Sequence, residues 1–308
     1  MTNTDLSNHV IVLLSTYNGE AYLHDQLHSL YQQTYQNIKI HVRDDGSSDL
    51  TLDILQKEVA EDRILLQSSD TNIGPAASFF RLLDISGDAG YYAFCDQDDI
   101  WLANKIEIAV DAIKKNPSET PVMYFSRLVF VNSENQFIKL SPLPKGVAFE
   151  NALVENIATG CTIVLNRAAR DLILKSIPSQ CVMHDAWCYL LISCLGNVIY
   201  DPFPSIHYRQ HASNTIGAST SVFDTIKRRV RRFKFSKDGV FRFSNQAEVF
   251  FALYRNVIPI DKKNKLLMFI SAEQSLISRL KLAFSDDIWR QNSVDNLILR
   301  LLIIINRY

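Results

Sequence analysis

Three carboxylates stand within four residues in the run Asp96-Gln97-Asp98-Asp99. When like charges are crowded and partly removed from water, each costs several kcal/mol unless it is paired or bound to a cation. Carboxylate oxygens suit Mg²⁺ or Mn²⁺, which bind them together with substrate phosphates. The run is therefore a candidate metal site. The alternative is a solvated acidic turn that caps a helix at Trp101, but the apolar residues on both sides of the run argue against free exposure.

Two further polar loops follow apolar runs. Residues 15–20 follow Val10–Leu14, and residues 43–46 follow Ile38–Val42, just as the acidic run follows Tyr91–Cys95. Each apolar run is short and bounded by turn residues, as in a buried strand. Ligands of open parallel sheets bind beyond the carboxyl ends of the strands. We therefore expect the three loops to converge at one edge of a sheet.

Helical periodicity separates these strands. Residues 20–33 carry leucines at three- to four-residue spacing, a second helix runs through Val59, a strand follows at Ile64–Gln67, and Phe79–Leu83 belongs to a third helix. This alternation, from residue 9 to about 115, predicts an α/β fold with a parallel sheet and helices on both faces. Beyond Pro117 the alternation of strands and helices is less regular. The predicted strands there are Val122–Val131, Thr162–Leu165, Val198–Tyr200 and Ile206–Tyr208. The predicted helices are 168–176, 185–195, 262–283 and 293–306.

Composition limits the class of protein. The 308 residues are 47% hydrophobic, enough for a large core, and the net charge of -1 gives no bias toward nucleic acid. The five cysteines include no CxxC pair, so we expect reduced thiols and no disulfide framework or zinc ribbon. The N-terminus does not have the pattern of a signal peptide, and no window is long and apolar enough for a spanning helix. These features predict a cytoplasmic protein.

Other nucleotide sites lack their motifs. No GxGxxG follows the first strand, and GxxxxGK[ST] is absent, so neither a dinucleotide site nor a P-loop is supported. Asp44-Asp45 after a strand could indicate a response-regulator pocket, but that fold does not need a second acidic cluster or the remaining 200 or so residues.

Seven short segments resemble, in order, motifs of the family 2 glycosyltransferases, and the chain looks most similar to the rhamnosyltransferase-like branch that builds bacterial surface polysaccharides. They span residues 12–211, about two thirds of the chain. Each segment is weak alone, and their common order makes the resemblance specific. The segments are Leu14-Ser15-Thr16-Tyr17-Asn18-Gly19, Arg43-Asp44-Asp45-Gly46-Ser47-Ser48-Asp49, Asn72-Ile73-Gly74, Asp96-Gln97-Asp98-Asp99-Ile100-Trp101, Thr159-Gly160-Cys161-Thr162, His184-Asp185-Ala186-Trp187 and Tyr208-Arg209-Gln210-His211.

The resemblance implies a GT-A fold over residues 1–218, with a donor half at about 9–115 and an acceptor half at about 116–218. Residues 219–308 would form a helical C-terminal region. The implied donor is a nucleotide-sugar with a dTDP or UDP carrier, and dTDP-rhamnose is favoured, although no motif identifies the hexose.

The resemblance also implies roles for single residues. For the donor, Ser15, Tyr17 and Asn18 would line the nucleotide, with Tyr17 stacked on the base. Asp45 would accept a hydrogen bond from the imide N–H of uracil or thymine.

For the metal, the resemblance implies that Asp98 is the direct ligand of Mg²⁺ or Mn²⁺. Asp96 would lie near the ribose or a metal-bound water, and His211 would approach from the far side. Asp99 could simply cap the helix behind Trp101.

For catalysis, Asp185 would be the general base, and His184 and Trp187 would contact the acceptor. A departing diphosphate needs a cation, and a sugar hydroxyl becomes a good nucleophile when a carboxylate takes its proton. Attack from the face opposite the diphosphate inverts the anomeric carbon. The alternatives are that Asp185 is only a helix N-cap and that Trp187 is a core residue. Trp101 is predicted to be a core residue.

Two positions depart from the pattern of the family. Ala186 stands where a second aromatic residue is usual, and Ser78 stands where Asn or a similar polar residue is usual. The preference for the acceptor is therefore open. A non-catalytic module that binds a nucleotide-sugar or glycan, or assembles a polysaccharide complex, is the alternative function.

The C-terminal third has two distinct segments. Seven of the eleven residues 227–237 are Lys or Arg, interleaved with Val230, Phe233 and Phe235. Such a run is a solvated helix face or a contact with an anionic membrane. Leu297–Ile305 is apolar except for Arg300, and it could pack on the domain, form a homodimer contact, or lie at a membrane surface beside a lipid-linked or glycan acceptor.

Overall fold

The computed structural model describes residues 6–210 and 242–308. Within the first range, nine strands form one sheet in the order β3-β2-β1-β4-β8-β6-β9-β5, with β7 paired to β6. The strands are Val10–Thr16 (β1), Ile38–Asp44 (β2), Leu65–Ser68 (β3), Tyr91–Cys95 (β4), Ile100–Trp101 (β5), Val122–Val131 (β6), Phe137–Leu140 (β7), Val164–Asn166 (β8) and Asn197–Arg209 (β9).

The first four strands are parallel, as predicted. In the register of the sheet, Leu14 lies between Val42 and Cys95, and Thr16 pairs with Asp44. The carboxyl ends of β1, β2 and β4 therefore lie at the same edge. The three polar loops leave the sheet side by side, and their predicted convergence is confirmed.

The second half of the sheet is mixed rather than parallel. Strand β8 is antiparallel to both β4 and β6, and β5 is antiparallel to β9. The two short strands predicted at 198–200 and 206–208 are one strand, β9, which passes Pro202 and Pro204 where its register with β6 shifts. Proline cannot donate a ladder hydrogen bond and is tolerated at such irregularities. The segment predicted as a strand at Thr162–Leu165 begins instead as a short 3₁₀ helix, Gly160–Thr162.

Eleven α-helices occur in the described ranges. The predicted helix at 262–283 is divided by a 3₁₀ turn at Ala272–Gln274, and Ser275 caps the second part by accepting from the N–H of Ser278. The helices are Leu23–Tyr31 (α1), Thr51–Ala60 (α2), Pro75–Ile85 (α3), Lys105–Ile113 (α4), Phe149–Ala152 (α5), Arg167–Leu174 (α6), His184–Leu195 (α7), Phe243–Tyr254 (α8), Ile260–Ser271 (α9), Leu276–Phe284 (α10) and Ser293–Ile304 (α11). Strands β5 and β7 and helices α5 and α8 were not predicted.

The sheet separates two apolar cores. Alternate side chains of a strand point to opposite faces, so Val10, Val12 and Leu14 belong to one core while Ile11 and Leu13 belong to the other. The first core lies under α1, α2 and α4. The second lies under α3 and α7 and continues into the C-terminal helices.

The C-terminal helices pack on the end of α7. Lys262 on α9 donates to the carbonyls of Ser193 and Cys194, at 2.9 and 2.8 Å, where α7 ends. A cation is favourable there because the carbonyls at a helix C-terminus carry partial negative charge. The domain boundary predicted near residue 218 lies outside the described residues.

All five cysteines are free in the structure, and four of them are buried. In the two described ranges, every helix is too short or too polar to cross a bilayer.

Candidate functional site

The loop after β1 is joined to the loops on both sides. The N–H of Asp45 donates to the carbonyl of Thr16 at 2.8 Å, and the hydroxyl of Thr16 donates to Asp44 Oδ1 at 2.8 Å. On the other side, Gln97 Oε1 accepts from the N–H of Tyr17 at 2.8 Å while Gln97 Nε2 donates to the carbonyl of Tyr17 at 3.0 Å. The three loops therefore form one surface.

Asn18 holds an unusual backbone conformation in this surface. Its φ is 48°, a value that favours Asn among non-glycine residues. Its N–H donates to Ser47 Oγ at 2.9 Å, and its side-chain oxygen accepts from the N–H of Ser48 at 2.8 Å. The neighbouring side chain of Tyr17 is 48% exposed.

Asp45 lies below this surface and is buried. Its carboxylate pairs with Arg43 Nη1 at 2.5 Å and accepts from the N–H groups of Ile73 and Gly74 at 2.9 and 2.8 Å. Ser78 accepts from the same Arg43 nitrogen and bonds Ser15 Oγ at 2.7 Å. A carboxylate offers about four acceptor positions, so the carboxylate of Asp45 has room for about one more donor.

The acidic run places its three carboxylates at different depths. Asp96 and Asp98 are partly exposed, whereas Asp99 is buried and its Oδ1 accepts from the N–H of Arg209 at 3.1 Å. Burial, followed by the charges of Asp98 and Asp185, raises the pKa of Asp96 to about 7. Burial, followed by the charges of Asp98 and Asp96, raises the pKa of Asp99.

Asp99 does not cap a helix. The chain continues as strand β5, in which Trp101 is a core residue as predicted, and α4 begins only at Lys105. Lys105 is itself fully buried, with Nζ 4.2 Å from the centroid of the Trp101 ring, and burial lowers its pKa to about 8. The acidic run is therefore the rim of a packed interior and not a solvated turn.

Cys161, to which the sequence analysis gave no role of its own, also belongs to the site. One ligand atom each from Asp96, Asp99 and Cys161 lies within 4.8 Å of the others. Crowded carboxylates whose pKa values are raised by burial and by one another fit a divalent cation, which removes that repulsion. Asp96 and Asp98 are both partly exposed, and their carboxylate oxygens are available as ligands for such a cation. His211 lies outside the described residues.

Asp185 faces this cluster from α7. Its carboxylate is buried and accepts from the N–H groups of Gly160 at 3.1 Å and Ala186 at 2.7 Å. Burial raises the pKa of Asp185 to about 6, and the charge of Asp185 contributes to the raised pKa of Asp96. The N-cap of α7 is Met183. The alternative that Asp185 is the N-cap is therefore wrong.

The side chains of Trp187 and His184, which were predicted to contact the acceptor, are both buried. Trp187 is fully buried, with its ring centroid 5.9 Å from that of Phe250 on α8. His184 is stacked on Phe79 with the ring centroids 4.1 Å apart, and burial lowers its pKa to about 3. A Cβ on Gly160 would lie 2.8 Å from His184 Nε2, so His184 leaves space only for glycine at this position.

Comparison with known proteins gives a consistent result. A family model described as glycosyl transferase family 2 matches residues 11–173, more than half of the chain. The dTDP-rhamnosyl transferase RfbG of Shigella flexneri is 29% identical over 70% of this chain and 77% of its own. The UDP-Glc:alpha-D-GlcNAc-diphosphoundecaprenol beta-1,3-glucosyltransferase WfgD of Escherichia coli is 32% identical over 51% of this chain and 60% of its own.

Solved structures show the same fold. Residues 1–349 of TarS from S. aureus, in complex with UDP, align with a TM-score of 0.54 at 16% identity, over 97% of this chain and 89% of that chain. The mannosyltransferase PcManGT from Pyrobaculum calidifontis, in complex with GDP-Man and Mn²⁺, aligns with a TM-score of 0.53 at 15% identity, over 97% of this chain and 74% of that chain. The predicted GT-A fold is confirmed by these likenesses.

Proposed function

The chain belongs to glycosyl transferase family 2, and we propose that it moves a sugar, with inversion, from a nucleotide-diphosphate donor to a hydroxyl of a growing surface glycan or lipid-linked acceptor. The observation that carries this proposal is the buried carboxylate of Asp185, which bonds the N–H of Gly160 next to Cys161 and whose charge contributes to the raised pKa of Asp96. A carboxylate base near a phosphate-binding acidic run suits the displacement of a diphosphate by a hydroxyl.

In the proposed step, the Asp185 carboxylate takes the proton of the acceptor hydroxyl. The hydroxyl oxygen forms the new bond to the anomeric carbon while the bond from that carbon to the diphosphate oxygen breaks. The electron pair of the broken bond leaves with the nucleoside diphosphate. The raised pKa of Asp185, about 6, makes it a stronger base than an exposed aspartate while it remains mostly charged at pH 7.

The metal completes the donor side of the proposal. Asp98 and Asp96, together with His211, would hold Mg²⁺ or Mn²⁺, which neutralises the charge on the departing diphosphate. The support for this assignment is the crowding of Asp96, Asp98 and Asp99 described above.

We further propose that the donor is dTDP-rhamnose, with Ser15, Tyr17 and Asn18 around the nucleotide and Asp45 on the base. The support is threefold. Tyr17 is exposed, the Asp45 carboxylate has room for one donor, and the relative from Shigella flexneri is named a dTDP-rhamnosyl transferase. The catalytic unit in this proposal is residues 1–218, with residues 219–308 as a helical extension.

The C-terminal helices carry an exposed apolar surface, which suggests a peripheral contact with the inner face of the cell membrane. Helices α10 and α11 pack side by side, and each exposes an apolar stripe to the outside. The exposed residues are Leu276, Ile277, Leu280 and Phe284 on α10, Val294, Leu297 and Leu301 on α11, and Ile305 directly after α11. The basic run 227–237 suits an anionic surface. A homodimer contact is the alternative use of this surface.

The decisive experiment supplies dTDP-rhamnose, UDP-glucose and GDP-mannose with Mn²⁺ and a panel of lipid-linked glycans, and measures released nucleoside diphosphate and the anomeric configuration of the product. Transfer of rhamnose with an inverted centre, lost in Asp185→Asn, is the expected result. A retained anomeric configuration would contradict the mechanism. Binding of donor without release for any acceptor would favour a non-catalytic module that binds nucleotide-sugar or glycan, or assembles a polysaccharide complex.

A further inference from the structure

Arg209 ends strand β9 next to the acidic run, and it is only 3% exposed. Its backbone N–H donates to Asp99 Oδ1 at 3.1 Å, and its side-chain Nε donates to the carbonyl of Asp98 at 3.0 Å. A single residue therefore bonds both Asp98 and Asp99.

The other end of the guanidinium is fixed to two distant segments. Nη1 donates to the carbonyl of Ser133, in the turn between β6 and β7, at 2.6 Å, and Nη2 pairs with Asp25 Oδ2 on α1 at 2.9 Å. The guanidinium carbon also lies 4.7 Å from the centroid of the Tyr22 ring. Four partners in different directions define the plane of the guanidinium, and this plane in turn defines the orientation of the Asp98 carbonyl.

We propose that Arg209 is a positioning residue that holds the backbone of Asp98 so that its carboxylate is oriented toward the donor's metal and diphosphate. The proposal rests on the function proposed above, because it needs a cation at Asp98. Groups that orient a metal ligand without touching the metal strongly influence the affinity of the site for the metal. Arginine is required because its planar guanidinium donates hydrogen bonds in several fixed directions, whereas the ammonium of lysine is a compact point charge on a flexible chain.

The first test uses Arg209→Lys and measures Mn²⁺ binding in the presence of dTDP by electron paramagnetic resonance of free Mn²⁺. We expect the Kd for Mn²⁺ to rise by about 10- to 100-fold, the usual effect of removing a partner that orients a metal ligand. An unchanged Kd would overturn the proposal.

Arg170→Lys is the matched control. Arg170 is similarly enclosed, with 13% of its side chain exposed, and it bonds the carbonyls of Leu83 and Asp84 and lies over the ring of Tyr92. It is remote from the acidic run. We expect this control to lower the melting temperature without changing the Kd for Mn²⁺. Equal effects of both variants on Mn²⁺ binding would show that Arg209 has only a general structural role.

The second test needs no ligand. Hydrogen exchange of the free protein is followed in peptides that cover residues 96–101, and Arg209→Lys should accelerate exchange there, whereas Arg170→Lys should not. If the wild-type protein bound no Mn²⁺, the proposed function would fail, and the orientation of Asp98 toward a metal would fail with it. Faster exchange at 96–101 would then still establish that Arg209 orders this segment.

A milder variant is available if Arg209→Lys does not fold. Asp25→Asn removes the ionic partner of Nη2, and the side chain of Asp25 is 59% exposed, so the substitution leaves the core intact. We expect weaker Mn²⁺ binding and faster exchange at 96–101, both smaller than for Arg209→Lys. Wild-type values for both measurements would overturn the proposal.

Discussion

The side-chain amide of Gln97 is bonded to both backbone groups of Tyr17, accepting from its N–H at 2.8 Å and donating to its carbonyl at 3.0 Å. Gln97 stands between Asp96 and Asp98, so the loop proposed for the base and the run proposed for the metal share one pair of hydrogen bonds. The amide also occupies the space beside Gly19, where a Cβ would lie 2.3 Å from Gln97 Oε1. Nucleotide and metal binding are therefore expected to depend on each other.

Gln97→Ala should weaken donor binding without unfolding the protein. Two hydrogen bonds of about 0.5–1.5 kcal/mol each then no longer order the loop, and we expect the donor KM to rise by roughly 5- to 150-fold. Steady-state kinetics at saturating acceptor measures this. The control is Gln36→Ala, which also removes bonds to backbone carbonyls but lies at the opposite edge of the sheet, before β2. An unchanged donor KM in Gln97→Ala would contradict the coupling.

The pH dependence of transfer should report Asp185. A general base acts in its charged form, and burial raises its pKa from 3.8 to about 6, so kcat/KM should fall as the pH falls through about 6. The measurement is a profile of kcat/KM from pH 4 to 8, in which uptake of one proton should account for the loss of activity at acid pH. An acid limb below pH 5 would exclude Asp185 as the titrating base.

The raised pKa of Asp185 also predicts how the stability of the fold depends on pH, and the direction is opposite to that of kcat/KM. Because the folded protein binds the Asp185 proton more tightly than the unfolded chain does, this group stabilises the fold as the pH falls from about 6 toward 4. Asp185→Asn should therefore lower turnover by about 10²- to 10⁴-fold while its melting temperature at pH 7 equals or exceeds that of the wild type. A large fall in melting temperature would mean that Asp185 is needed for folding.

Removal of the metal should abolish turnover. We expect chelation by EDTA to stop transfer and Mn²⁺ to restore it in the wild type, because the departing diphosphate needs a cation. In Asp98→Asn the same addition of Mn²⁺ should restore little activity. Asp111→Asn, which changes an exposed carboxylate on α4, is the matched control and should be restored fully. Full activity in EDTA would exclude a metal-dependent enzyme.

Phe250→Ala should destabilise the protein because Phe250 is fully buried against Trp187. Truncation of a buried Phe costs about 3–5 kcal/mol. Denaturant unfolding measures the loss, and Leu253→Ala, at a residue 41% exposed on the same helix, should cost less than about 0.5 kcal/mol. An equal cost for both would mean that α8 does not pack on α7 in solution.

The exposed stripes of α10 and α11 predict binding to vesicles. The wild type should sediment with vesicles of phosphatidylglycerol and phosphatidylethanolamine, and Leu297→Ser/Leu301→Ser should remain in the supernatant, because polar side chains then interrupt the stripe. Val257→Ser/Ile260→Ser, at exposed apolar residues outside these helices, is the control. A wild type that remains in the supernatant and has the mass of a dimer by light scattering would assign the stripes to a homodimer contact.

The sequence by itself determined the donor edge of the fold. The apolar runs before Tyr17, Asp45 and Asp96 have the length and composition of buried strands, and the helices between them leave only a parallel arrangement. Parallel strands bring their carboxyl ends to one edge, so the convergence of the loops follows from local pattern alone. Asp185 was identified through the resemblance to a family, since one aspartate at the start of a helix has no distinguishing periodicity.

Only the tertiary structure decided which of these residues are accessible and which support them. Helix α7 is apolar on every side, a pattern that indicates burial all round, but only the contact with Phe250 on α8 shows that Trp187 is enclosed. The contacts of Arg209 with Asp25, and of Asp45 with Gly74, join residues far apart in the chain. Such pairings leave no local periodicity. They arise because each buried polar group must find a partner, and which partner is near is determined by the packing of the whole sheet.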